Sequence, residues 1–308
     1  MMKEEDKFPL NLWPEIEQAP DDYRLLECVP FTMFGEQPEL PIKIAEPVGD
    51  ELPLIILDSE TTGLNPSCDQ MIELAMVRAL YSPSLGDITS ITAIYDEFED
   101  PHIEIPPKVT ELTGITTEMV KGQKFDLDAV NRLLADDPLV IAHNAGFDRL
   151  FFDRRFCGSE FLTQLRWTCT LKNMQWANLD GRLRFSRKLG NMLFNLNYFF
   201  EAHRANADCL ALLWLLHIVP NAFRHLIDNT FNRQISLVLA RGLPIEYKDR
   251  VKSRRYNWNR VDKVWNIQCN TPEQVQEELK FLRELYDPEG RLVEEVKLNL
   301  DPRICFKG

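Results

Sequence analysis

No stretch of this sequence is both long and apolar. The longest such run, Leu210 to Pro220, is interrupted by His217 and falls far short of the roughly 20 residues that a membrane-spanning helix needs. The opening Met1-Met2-Lys3-Glu4-Glu5-Asp6 is acidic and lacks the basic-then-apolar order of a signal peptide. A cytoplasmic protein with no membrane partner is therefore expected. Paired cysteines are missing as well. The seven cysteines are odd in number and scattered, with no Cys-x-x-Cys, which argues against a disulfide framework or a zinc site. Cys305 stands fourth from the end, but Phe306-Lys307-Gly308 matches a prenylation tail poorly. Repeats and low-complexity tracts are absent. What is present, 44% hydrophobic and 27% charged residues over 308 positions, suffices for one medium domain with extensions or for two domains.

Basic charge is scarce: 35 Lys and Arg face 48 Asp and Glu, a net charge of −13. Spread evenly, that balance would disfavour a nucleic-acid partner. It is not spread evenly. Residues 1–53 hold 13 acids, 4 bases and 8 of the 19 prolines. Proline prevents long regular elements, so this acidic extension reads as an extended strap with a flexible start. Trp13, Tyr23, Leu25, Leu26, Phe31 and Phe34 give it the means to pack partly on the body. Residues 241–263 hold 8 Lys and Arg against Glu246, Asp249 and Asp262. An acidic front and a basic rear are thus hidden in the total.

The apolar run Leu54-Ile55-Ile56-Leu57, ending at Asp58, predicts a buried strand. Met71 to Leu80 and Ile91 to Phe98 add two more in a meander. Helices are predicted over Asp126 to Ala135, Gly146 to Phe156 and Ala205 to Ile218, with a buried strand at Leu139 to Ala142. Together they imply an α/β fold, a mixed sheet with helices on its faces, over residues 54–219. Asn221 to Arg241 reads as a long helix, so residues 220–243 are expected to connect to a small C-terminal α+β module, 244–308. In that module, 254–258 and 263–267 predict a hairpin. Thr271 and Pro272 open a helix that runs to Leu285.

Three segments carry chemistry. Asp58-Ser59-Glu60 places two acids at i and i+2 of a strand end, so both carboxylates point to one face with Cα atoms roughly 6–7 Å apart. Such a pair is costly beside apolar neighbours unless a cation neutralises it, and hard oxygen ligands suit Mg²⁺ or Mn²⁺. Alone, the pair also fits a strand end open to water. His143-Asn144-Ala145-Gly146-Phe147-Asp148 adds an acid near a helix N-terminus, where the dipole alone would favour it. His203-Arg204-Ala205-Asn206-Ala207-Asp208 adds a histidine and a fourth acid. Five residues correspond to about 140° of helix rotation, so His203 and Asp208 can face one site only if His203 lies in the loop before the helix.

In this order, Asp-x-Glu-Thr-Thr-Gly-Leu (58–64), His-Asn-x-x-Phe-Asp (143–148) and His-Arg-Ala-x-x-Asp (203–208), with Leu112-Thr113-Gly114-Ile115-Thr116 between the first two, resemble the motifs of the DEDDh exonucleases. That is the family of the proofreading subunit of bacterial DNA polymerase III. The resemblance covers roughly residues 54–218. It implies a ribonuclease H-like, five-stranded mixed sheet and a 3′→5′ exonuclease. Asp58, Glu60, Asp148 and Asp208 would hold two Mg²⁺ or Mn²⁺ ions, with Asp58 bridging them, and His203 would be the general base. Thr61, Thr62 and Leu64 would line the terminal nucleotide's site, where amides of the turn hold the 3′ end and Leu64 wedges against the base. Asn144 and Phe147 are further candidates for strand contact, although Phe147 also suits the core. His143 reads as structural, and Arg204 as either a phosphate contact or a brace. Many relatives carry a small residue where this chain has Phe200-Glu201-Ala202, which puts the shape of the His203 loop in question.

Residues 243–267 resemble a small module of unassigned function. Its Arg254, Arg255, Tyr256, Trp258 and Trp265 interleave cations with rings, as a single-strand-binding surface would. The tryptophans equally suit a small core. The expected partner is nucleic acid through a single-stranded 3′ end, DNA favoured over RNA or short oligonucleotides. A non-catalytic scaffold is the reading from another class, and the acidic strap offers a docking surface for a protein partner.

Overall fold

The computed structural model describes residues 10–32, 38–232, 234–259, 262–269, 271–299 and 301–303. The flexible start, Phe34 and Cys305 lie outside them. β1 (Ile42–Lys43), β2 (Leu52–Thr61), β3 (Met71–Ser82), β4 (Asp87–Phe98), β5 (Leu139–Ala142) and β6 (Arg166–Cys169) form one sheet in the order β1-β4-β3-β2-β5-β6. β2, β3 and β4 are an antiparallel meander, and β5 and β6 add in parallel. The expected five strands are β2 to β6. The sixth is a correction: the extension itself supplies β1, which pairs with Ser90 and Ile91 of β4 and covers part of that edge.

β2 and β5 read as continuous apolar runs because both of their faces are covered. Leu54, Ile55, Ile56 and Leu57, and Leu139, Val140, Ile141 and Ala142, are all buried. Side chains alternate along a strand. Ile55 and Leu57 enter a core with Leu74, Met76, Val140, Phe151, Phe152 and Trp167, beneath α2 (Ala145–Arg155). Each such side chain contributes about 1.5–3 kcal/mol on burial. α1 (Leu127–Leu133) packs its Val130 and Leu133 into the same core, and Asp126 caps its N-terminus. Leu54, Ile56, Asp58 and Glu60 therefore face the opposite side. There α4 (Ala205–Ile218) lies against β2 and β3, with the Cys209 Sγ 3.5 Å from Ile56 O. The end of β2 thus presents two acids to α4 and, through Ser59, one hydroxyl to α2.

The strap is built into this body. Glu27 and Cys28 pair in parallel with Tyr198 and Phe199, just after α3 (Leu189–Asn195). The Glu27 and Val29 amides donate to Asn197 O and Phe199 O, each at 2.8 Å. Val29 is fully buried. Arg24 donates to Asn197 Oδ1 at 2.9 Å and to Phe194 O, with its guanidinium 4.4 Å from the centre of the Phe194 ring.

The long helix expected from Asn221 to Arg241 is not formed. α5 (Ala222–Phe231) runs up to and just across the boundary between two compact units, and β7 (Gln234–Ala240) lies in the second, Thr230–Asp301. The connecting segment 220–243 is therefore half helix and half strand. β7 is an inner strand of a four-stranded antiparallel sheet ordered β8-β9-β7-β10, with β8 (Asn257–Asn259), β9 (Val264–Cys269) and β10 (Val293–Asn299). Val238 and Ala240 are buried with Val275, Leu279 and Leu282 of α6 (Pro272–Leu285). An apolar run of this length does not distinguish strand from helix until its neighbours are known. The hairpin and α6 follow the expectation, and Thr271 Oγ1 caps α6 by accepting the Gln274 amide.

Candidate active site

The structure brings three of the four predicted acids together. Carboxylate oxygens of Asp58, Glu60 and Asp208 lie within 4.8 Å of one another. Asp148, in the first turn of α2, stands beside this group rather than in it. It is 3% exposed, and its Oδ1 accepts a hydrogen bond from Ser59 Oγ at 2.9 Å. Ser59 can reach it because it points to the α2 face, opposite to Asp58 and Glu60.

His203 lies in the loop before α4, as its spacing to Asp208 requires. Its φ is 68°, a left-handed backbone that histidine visits uncommonly. Asp208 holds it there: Oδ2 accepts the His203 amide at 2.8 Å. The same carboxylate thus faces the acid cluster and fixes the loop that carries the histidine.

A residue not foreseen in the sequence fastens this corner. Glu73 is opposite Glu60 in the β2–β3 register and fully buried. Its Oε1 accepts from Arg204 Nε and Nη2 at 3.0 and 2.9 Å, and its Oε2 from the Ala205 amide at 3.0 Å. Arg204 is accordingly a brace, one of its two expected roles. A lone acid inside Met71-Ile72-Glu73-Leu74-Ala75-Met76 was the signal that could have found Glu73, since a buried charge needs a partner.

Thr61 and Thr62 are buried. The expectation that turn amides receive a 3′ end is corrected for Thr62, whose amide is engaged by Gln70 O at 2.8 Å. These threonines instead shape the turn, with Thr61 Oγ1 donating to Gly63 O at 2.6 Å. Gly63 allows a close approach: a Cβ there would lie 2.5 Å from Asp69 Oδ2. Leu64 stands 84% exposed on this turn. Asn144 is exposed. Phe147 packs on the core, 4.9 Å from the Phe151 ring. His143 is structural, its ring nitrogens 2.9 Å from Thr170 Oγ1 and 2.7 Å from Arg187 O.

In the C-terminal unit the expected binding surface is largely consumed. Tyr256 is 4% exposed and donates to Glu278 Oε2. Arg254 pairs with Glu277 and Glu278 at 2.7 Å. Trp265 is half-buried against the core and packs on Trp258 with ring centres 5.4 Å apart. Of the five residues, only Arg255 and Trp258 stand exposed.

The acid cluster is electrostatically unsatisfied. Like charges about 4 Å apart repel by roughly 4 kcal/mol at an effective dielectric near 20. Burial lifts the Asp58 carboxyl well above the usual range, and the charges of Asp148, Asp208 and Glu60 push the same way. Glu60 rises to about 8, through burial first and then Asp208 and Glu73. Asp148 and Asp208 are also raised by burial, against hydrogen bonds from Ser59 and from the His203 amide. Three converging carboxylates with only oxygen donors fit a hard divalent cation. The sign of the pH effect follows. Groups whose native pKa is raised bind more protons folded than unfolded, so stability falls as pH rises between the two values. Without metal, the melting temperature should decline from about pH 4.5 to about pH 8, the window set by Glu60. Saturating Mg²⁺ or Mn²⁺ should remove the decline. Thermal scans in chelator at several pH values check this, and a flat profile would contradict it.

A cluster of acids at the carboxyl end of an inner strand of a mixed α/β sheet defines the class of site: one suited to a hard divalent cation. The RNase T exonuclease family model matches residues 55–216. The chain belongs to that exonuclease family, and its sequence carries Asp58, Glu60, Asp148, His203 and Asp208. Its relatives include the PolC-type DNA polymerase III of Halalkalibacterium halodurans, 36% identical over 104 residues, which are 33% of this chain and 7% of the polymerase. That of Latilactobacillus sakei is 28% identical over 217 residues, 69% of this chain and 14% of the polymerase. The chain therefore spans a small fraction of the length of these relatives. Among solved structures, Exonuclease X in complex with 5′ overhanging duplex DNA is 22% identical, with a TM-score of 0.42 over 57% of this chain and 99% of that one. E. coli Exonuclease I in complex with a dT13 oligonucleotide is 17% identical, with a TM-score of 0.47 over 62% and 48%.

Proposed function

We propose that the chain removes nucleoside monophosphates one at a time from the 3′ end of single-stranded nucleic acid, DNA in preference to RNA, using two Mg²⁺ or Mn²⁺ ions. The observation that carries this reading is the convergence of Asp58, Glu60 and Asp208 beside a histidine tied to one of them. Asp58, Glu60 and Asp208 would hold the cations, with Asp148 as the neighbouring carboxylate. Bound divalent cations supply Lewis acidity to the attacking water and to the charge that builds on the leaving 3′ oxygen. His203, exposed at the rim, accepts the proton of the attacking water. Leu64 stands free to pack on the terminal base. The preference for DNA is supported by the relatives, which are DNA polymerases.

A side-by-side assay with Mg²⁺ on 3′- and 5′-labelled single-stranded DNA, duplex DNA and RNA tests this. Early release of labelled mononucleotide from the 3′-labelled DNA single strand is expected. Faster attack on RNA would move the assignment to an exoribonuclease. Absence of hydrolysis on every substrate would leave a scaffold.

A further inference from the structure

The acid cluster has a basic, aromatic neighbour that is not the C-terminal hairpin. Leu183 and Leu189 are buried, 2% and 7% exposed, and between them run Arg184, Phe185, Ser186, Arg187 and Lys188. The two leucines pin the ends of a short loop whose residues point outward. Phe185 is 77% exposed, with the Arg184 guanidinium 4.3 Å from its ring centre. Arg182 is paired with Asp180 at 2.6 Å. Among the described residues, by contrast, no carboxylate forms an ion pair with Arg184, Arg187 or Lys188. Among the described residues these three cations have no carboxylate partner, and the Phe185 ring, with Arg184 over one face, is otherwise open: a surface prepared for an anionic partner with flat faces.

The loop is tied to the cleft. His143 Nε2 is 2.7 Å from Arg187 O. His143 directly follows β5, and the parallel register that pairs Ile56 with Ile141 brings it level with Asp58, one strand spacing of about 5 Å away. His143 thus links the loop to the end of β5, the strand that pairs with β2. An acidic protein surface would satisfy the cations but leave the exposed ring without a role. A nucleic-acid strand uses both, because phosphates meet Lys and Arg while an unpaired base stacks on the ring.

We propose that residues 184–188 are the seat of the strand upstream of the scissile bond. Phosphates lie on Arg184, Arg187 and Lys188, and one unstacked base lies on Phe185. The proposal rests on the exonuclease reading of the cleft, and it makes the loop a selector of single strands, since a paired base has no free face to offer.

Fluorescence anisotropy separates the two ideas, using the full chain with Ca²⁺ and labelled trinucleotides and dodecanucleotides of dT and of U. Phe185→Ser should weaken dodecanucleotide binding roughly tenfold, the size of one base–ring stack, and Phe185→Trp should retain it. The triple substitution Arg184→Ala, Arg187→Ala, Lys188→Ala should reduce the log–log salt slope by about 2, as expected for three lost phosphate contacts on a single strand. Deoxy and ribo strands should lose alike, since phosphates and base faces are common to both. The gain in affinity from trinucleotide to dodecanucleotide should shrink in every loop variant except Phe185→Trp. Unchanged dodecanucleotide affinity and slope would overturn the proposal. So would an equal loss for the trinucleotide, which would make the loop a prop for the cleft. Cleavage enters none of these readings. A chain that binds in this way but never cleaves would sink the exonuclease reading and leave the loop standing.

Discussion

Asp58→Asn is expected to cut hydrolysis by on the order of 10³-fold or more and, in chelator at pH 8, to raise the melting temperature by about 2 °C or more. The two effects share one cause. Burial, and then the charges of the neighbouring carboxylates, lift the Asp58 pKa, so its charge destabilises the metal-free fold. Asparagine keeps the shape and removes the charge. Relief of even about 1 kcal/mol moves the transition by roughly 2–4 °C in a protein of this size. The lost charge is also a lost ligand, and electrostatic and metal stabilisation of a transition state is commonly worth this many decades of rate. Differential scanning fluorimetry and a mononucleotide-release assay read the two effects on one sample. Retained activity, or a lower melting temperature in chelator, would mean that the acids do not form a cation site.

His203→Asn should separate chemistry from cation binding. Asparagine tolerates the left-handed backbone that His203 adopts at φ 68°, and its amide can still donate to Asp208 Oδ2. Only the imidazole is lost. A proton acceptor of this kind is typically worth 10²–10⁴-fold in rate, and a fall of that order in kcat is expected. Because the cluster of Asp58, Glu60 and Asp208 is untouched, the rise in melting temperature on adding Mn²⁺ should persist. Loss of that rise, or kcat within a few-fold of the parent, would remove His203 from the role of base.

Much of the architecture was legible in local patterns. Leu139–Ala142, Ala205–Ile218 and Pro272–Leu285 have the bounds that their apolar runs and caps predict, because burial and capping are written in neighbouring residues. The shared face of Asp58 and Glu60 followed from strand alternation, their meeting with Asp208 from the resemblance to the DEDDh motifs, and the loop position of His203 from its spacing to Asp208. What depended on distant partners was not legible. Residues 234–240 become a strand only because Val264–Cys269 and Val293–Asn299 flank them. Tyr256 and Arg254 suggested a binding face until Glu277 and Glu278 of the following helix claimed them. Glu73 gained its meaning from Arg204, 131 positions away.

The pairing of Glu27 and Cys28 with Tyr198 and Phe199 gives the acidic extension a mechanical job. The family match begins at residue 55, yet the segment leading into the His203 loop leans on backbone contributed by residues 27–29. A chain trimmed to the family boundary would keep all five defining side chains and lose the rail along which their histidine is delivered. The corner that carries His203 therefore rests on backbone from both sides of the family boundary.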